Sequence, residues 1–199
     1  MSRFLFFIVV VLSACGVYAQ AVAPLSESEQ QKVMTQIAEA TAAVRTMTAD
    51  FVQTRSSAML AEAAVSRGTM RYERPDRLRW EYSEPRKGGI SVVGDSITMI
   101  GVDAKSAGKA NRMMRGMSSM ILTSMNGNRM FDQRMFSTVI YNEGNNYRAE
   151  LTPKRRDMQR MFQKMTFVFD KNDMCVKSVA LTEKNGETVI EFSNTATKK

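Results

Sequence analysis

The side chains that could run a reaction are few. Acid–base catalysis would need paired carboxylates within hydrogen-bond reach of one reacting group, and the chain offers Glu27/Glu29, Glu81/Glu84 and Asp170/Asp173. These pairs fall at an expected helix start, on an exposed strand face and in a turn. The sequence contains no histidine, which removes Ser-His-Asp triads, Cys-His pairs, HExxH zinc sites and imidazole proton transfer together. It holds no Walker loop, GxGxxG or CxxC either. Cys175, set in Met174-Cys175-Val176, reads as a small buried hydrophobe and not as a nucleophile. No catalytic residue, metal ion or cofactor is expected.

What remains is the chemistry of binding. Between Arg71 and Pro85 a proline-broken turn joins two strands that alternate long apolar and charged side chains, and it places Arg74 where they meet. Leu78, Trp80 and Tyr82 share one strand face by their period of two, with Met70 and Tyr72 on the preceding strand. The chain carries seventeen methionines. Met113, Met114, Met117, Met120, Met125, Met130 and Met135, with Ile121 and Leu122 among them, give residues 111–135 a helical, methionine-rich reading. Methionine covers surfaces that must fit more than one shape, and it also fills irregular cores. Both readings stay open here.

The elements that position these residues follow from patterning. Arg3 precedes an apolar run, Phe4 to Leu12, too short to span a bilayer and suited to a signal peptide. Val17-Tyr18-Ala19 before Gln20 fits ordinary cleavage, whereas Leu12-Ser13-Ala14-Cys15-Gly16 resembles a lipobox that would acylate Cys15. We read residues 1–19 as the signal peptide and 20–199 as one domain, with Cys175 as its remaining thiol and no disulfide. No later run is long enough for a spanning helix. The formal charge is +8, a balance that attracts nucleic acid, anionic headgroups or acidic partners; export argues against nucleic acid. The cluster Lys154-Arg155-Arg156, with Arg160 and Lys164, reads first as a solvated face.

Pro24 and the capping box Ser26-Glu27-Ser28-Glu29 announce a helix whose apolar stripe is Val33, Ile37, Ala40, Val44 and Met47. Strands are predicted over 49–54, 64–73, 78–83, 89–93, 97–102, 146–151, 165–170, 175–182 and 188–193. Asn185-Gly186 gives the strongest hairpin signal, because such a pair tolerates the positive backbone angles of a tight turn. Cys175, Val179 and Leu181 on one face oppose Val176 and Ala180 on the other, so both faces of that strand read as occupied. A curved antiparallel sheet with helices against its inner side explains this; a β-sandwich explains it nearly as well.

Four blocks then carry a family likeness: Met47 to Gln53 after the first helix, Arg74-Pro75 through Pro85, Leu151-Thr152-Pro153-Lys154, and the hairpin-rich tail from Phe167 to Phe192. In this order the sequence resembles the periplasmic lipoprotein-carrier (LolA) family. The resemblance implies an α+β fold, an unclosed antiparallel half β-barrel with helices forming a lid over a hydrophobic cavity. It implies a monomeric periplasmic carrier with no enzymatic activity. Such a carrier takes acylated lipoproteins from an ATP-driven inner-membrane release complex and passes them to an outer-membrane acceptor. By match to the motif, Arg74 holds the lid shut, and Leu78 and Trp80 face the cavity; Tyr82, Met70, Tyr72, Met117, Met120 and Ile121 are further candidates for its lining. A lipid-anchored acceptor, or a stress-sensing interaction module on the same half-barrel, is the alternative. After Phe192 the sequence departs from the family, with only Ser193 to Lys199 remaining where the best-known members continue into a further strand or loop.

Overall fold

The computed structural model describes residues 22–94, 96–101 and 130–199. The signal peptide, Cys15, Met113 to Met125 and the lining candidates Met117, Met120 and Ile121 lie outside the described residues.

The first helix, α1 (Glu27–Ala43), begins as the capping box requires: the Ser26 hydroxyl accepts from Glu29 N–H, and the Glu29 carboxylate accepts from Ser26 N–H at 3.1 Å. The Ser26 hydroxyl, which donates to the Glu29 carboxylate at 2.5 Å, and then the Ser26 N–H hold that carboxyl below its ordinary range. Val33 and Ile37 form its buried stripe. Ten strands follow in one antiparallel sheet: β1 (Thr46–Ser57), β2 (Ala64–Glu73), β3 (Arg77–Glu84), β4 (Gly88–Val93), β5 (Ser96–Ile100), β6 (Phe136–Glu143), β7 (Asn146–Pro153), β8 (Lys164–Asp170), β9 (Val176–Glu183) and β10 (Gly186–Lys198). A short helix, α2 (Arg156–Gln159), links β7 to β8. The spatial order is β5-β4-β3-β2-β1-β10-β9-β8-β7-β6, so the sheet is unclosed, with β5 and β6 at its two edges.

β6 has no counterpart among the predicted strands, because the methionine-rich run before it drew the reading towards helix. Its β-branched and aromatic content, Phe136-Ser137-Thr138-Val139-Ile140-Tyr141, is nonetheless that of a strand. β10 also outruns its prediction. The tail after Phe192 stays paired with β1, from Asp50↔Ser193 to Thr46↔Lys198, across an irregularity where Asn194 adopts a positive φ of 50° and donates to Asp50 at 2.7 Å.

Two local readings change their physical reason. The β9–β10 hairpin forms with Lys184 and Asn185 at its tip, and Gly186 already pairs with Glu183. Gly186 is required by space: a Cβ there would lie 2.3 Å from the Ser56 carbonyl oxygen of β1. In β9 the two-faced apolar pattern comes from a β-bulge. Phe169 pairs with Val176 but Val168 pairs with Ser178, so Lys177 is an extra residue and the side-chain parity reverses across it. Val176 and Val179 thereby turn to the same side and pack on one core cluster.

The core runs along that face in two clusters. One gathers Met47, Ala49, Phe51, Met70, Tyr72, Leu78, Trp80, Ile90 and Val92 from β1 to β4, with Val44 and Ile190. The other packs Val33 and Ile37 of α1 onto Phe136, Ile140, Ala149, Leu151, Phe167 and Phe169 of β6 to β8. Val176 touches both. α1 thus lies across the strands, starting at the edge strand β6 and ending at β1. Five strand spacings of about 4.8 Å make roughly 24 Å, and its 17 residues rise about 25 Å.

Candidate functional site

Val44 N–H closes back on the Thr41 carbonyl at 3.2 Å, but the last turn of α1 contains no basic residue, so its terminal carbonyls, negative by the helix dipole, have no cation of their own. Arg74, in the turn between β2 and β3, supplies one. Its Nε donates to the Val44 carbonyl at 3.1 Å and its Nη2 to the Thr41 carbonyl at 3.3 Å. Its backbone N–H donates to the Arg45 carbonyl at 2.8 Å, and Arg45 N–H donates to Lys198 at 2.8 Å. The planar guanidinium meets two carbonyls at once, a geometry lysine cannot copy.

Thr41 and Val44, the residues Arg74 bonds, are also walls of a cavity of about 210 Å³ beneath the C-terminal half of α1. Ala40, Met47, Met130, Phe167, Phe169 and Val176 give it an apolar lining, and Asp173, Met174, Cys175, Thr197 and Lys199 complete its boundary. Met174 holds a left-handed φ of 58° there, unusual for a side chain of its kind. Burial, followed by the nearby Asp173 carboxylate, pushes the Cys175 thiol up to about 11, so it stays protonated near neutral pH and adds little polarity.

The five predicted lining residues that fall among the described ones stand beside this cavity and not in its wall. Leu78, Trp80, Met70 and Tyr72 are buried in the β1–β4 cluster, with Tyr82 packed against it. Trp80 stacks on Phe51 with ring centroids 4.0 Å apart, and Tyr82 meets the Phe51 ring edge-on at 5.4 Å. Gly68 allows this: a Cβ there would lie 2.6 Å from the tip of Phe51. The Tyr82 hydroxyl donates to the Gln53 side chain at 3.0 Å. Trp80 Nε1–H has no acceptor at hydrogen-bond geometry among the described residues. It still stands close enough to the Tyr82 hydroxyl to offset part of the pKa rise that burial causes there. The aromatic cluster and the cavity are contiguous, since Val44 and Met47 belong to both.

The family described as outer membrane lipoprotein carrier protein LolA matches residues 42–199. The chain belongs to the LolA family. The match begins in the last turn of α1 and takes in Arg74 and all ten strands. No curated protein matches the sequence. Among solved structures, MucB is similar with a TM-score of 0.51 and 13% identity, over 89% of this chain and 61% of that one, which shows a shared fold. LolA superfamily protein NE2245 from Nitrosomonas europaea gives 0.36 and 9%, over 83% and 94% of the two chains. An outer membrane lipoprotein-sorting protein domain from Vibrio parahaemolyticus gives 0.41 and 10%, over 86% and 92%.

Within this LolA-family sheet, sequence reasoning selected none of the cavity residues, Phe167, Phe169, Val44, Met47 and Met174 included. The alternation Met165-Phe167-Phe169 in a predicted strand and the apolar stripe ending at Val44 and Met47 were the available signals. Neither reveals that the two surfaces leave a gap between them. Among the described residues, no helix is long and apolar enough to cross a membrane.

Proposed function

We propose that this protein is a periplasmic carrier that shelters the acyl chains of lipoproteins under α1 and moves them from the inner to the outer membrane. In this reading residues 1–19 are removed on export and 20–199 act as one domain. The observation that carries it is the apolar cavity beneath α1, roofed by the helix end that Arg74 holds, in a chain of the LolA family. Exposing an acyl chain to water costs about 0.8 kcal/mol per methylene, so a carrier must offer matching apolar surface.

The cavity, at about 210 Å³, is smaller than the roughly 300–1,000 Å³ of small-molecule pockets. A full acyl chain therefore requires α1 to rise, and the closed form is the unloaded one. The cavity borders the aromatic cluster at Val44 and Met47, which makes Met70 and Trp80 its deeper wall once α1 has risen. Loosening the Arg74–Thr41 bond as the helix tilts is part of the cost of opening, and that cost sets affinity between those of a donor complex and an acceptor. The role is binding and transfer, without bond cleavage.

Ala40 faces the cavity and is small, so Ala40→Trp fills the space without displacing a packed side chain. Titrated with a fluorescent palmitoyl peptide, the wild type is expected to saturate and Ala40→Trp to bind about tenfold or more weakly, at unchanged thermal stability. Equal binding by both would exclude this cavity. No binding by the wild type would favour an interaction module on the same fold.

A further inference from the structure

The N-terminal half of α1 is fastened by a residue with no part in the reading above. Gln30 sits in the first turn of the helix, half-buried, over the edge strand β6. Its carboxamide Nε2 donates to the Leu25 carbonyl at 2.7 Å, and its Oε1 accepts from Ile140 N–H of β6 at 3.0 Å. Leu25 N–H in turn donates to the Ile140 carbonyl at 2.8 Å, and Pro24 bridges to Tyr141. An edge strand leaves a row of backbone donors and acceptors unpaired. Here the strap at Pro24–Leu25 satisfies one carbonyl and the Gln30 amide one N–H, so helix, strap and sheet edge meet at a single side chain.

The two ends of α1 differ in how they are tied. At its C-terminus the chain passes through Val44 and Arg45 directly into β1, and Arg45 is bonded on both sides, to Arg74 and to Lys198. That end cannot travel far. The N-terminal end is joined to the sheet through the strap and the Gln30 amide. From this asymmetry we infer that Gln30 is a second positioning residue of the carrier: α1 opens as a flap about Val44–Arg45, and the Gln30 amide latches its free end to the edge of β6. The inference rests on the carrier reading for its purpose, but the latch itself is independent of cargo. Opening it separates Val33 and Ile37 from Phe136 and Ile140 and admits an acyl chain from the β6 side of the sheet.

The decisive experiment measures hydrogen exchange and palmitoyl-peptide uptake on the same full-length variants. Gln30→Ala should speed exchange at the Ile140 amide and in the first two turns of α1 by about tenfold, and speed probe uptake and release by a similar factor, with the midpoint of global unfolding little changed. Gln30→Glu provides a control specific to the latch. Its carboxylate accepts from Ile140 but cannot donate to Leu25, whereas the protonated acid does both. That variant should therefore be loose at pH 7 and regain wild-type protection near pH 4, while Gln30→Ala, measured at both pH values, shows no such recovery. Wild-type protection of Ile140 in Gln30→Ala would overturn the latch. Faster exchange with unaltered uptake would overturn its gating role while leaving the carrier reading intact. A wild type that takes up no probe would sink the carrier reading and gating together, and the exchange data would still decide whether the latch exists.

Discussion

Arg74 does for α1 what no side chain of the helix does for itself. Its two donors reach the carbonyls of Thr41 and Val44 from a turn thirty or more positions away in sequence, at the helix end where a cation is favoured. Hydrogen bonds from a charged group contribute about 1.5–3 kcal/mol each, and the exposure of one of these bonds places the pair towards the low end. Arg74→Leu is expected to lower stability by about 1–2 kcal/mol, read from the midpoint of urea unfolding, and to speed release of a bound palmitoyl peptide. Arg74→Lys should behave like the leucine variant, because a single ammonium cannot span both carbonyls. Full rescue by lysine would show that charge alone closes the helix end. The family likeness around Pro75 singled out Arg74; which carbonyls it meets was not legible, because nothing in residues 41–44 signals bonding to a distant turn.

At the level of elements, patterning located α1 and nine of the strands, since capping chemistry and apolar periodicity are local. What it missed depends on pairing. The β9 bulge is the plain case: Val176 and Val179 look like opposite faces until the register with β8 shows Lys177 to be extra. Deleting Lys177 removes the bulge and leaves Val176 and Val179 two positions apart, still on the inner face opposite Phe169 and Phe167. The deletion is therefore expected to be tolerated, costing about 1 kcal/mol or less for the loss of the exposed Lys177 partner of Asp170, with a melting temperature close to that of the wild type. A large loss of stability with apolar surface that binds a hydrophobic dye would show that the pairing of β9 with β8 is not what keeps Val176 and Val179 inside. β6 was overlooked for a different reason. Its neighbours in sequence are methionine-rich, and the edge it forms is completed by Pro24, Leu25 and Gln30, more than a hundred residues earlier.

Among the described residues α1 lies across half of an open sheet, and the site belongs to the gap between them. Sequence supplied the shared face of Leu78, Trp80 and Tyr82, which lies beside the cavity, because alternation fixes which side chains share a face. It could not supply the cavity, which exists only where Ala40 and Val44 of the helix region fail to fill the space above Phe167 and Phe169. Such a gap is a property of packing between elements that are distant in the chain. Whether cargo occupies it is a matter of mass. Native mass spectrometry of the protein released from periplasm without detergent should show the wild type carrying fatty-acyl material, either free lipid or an acylated peptide, and Ala40→Trp running at its bare mass. A wild type that is bare and stays bare when offered palmitoyl peptide would contradict the account.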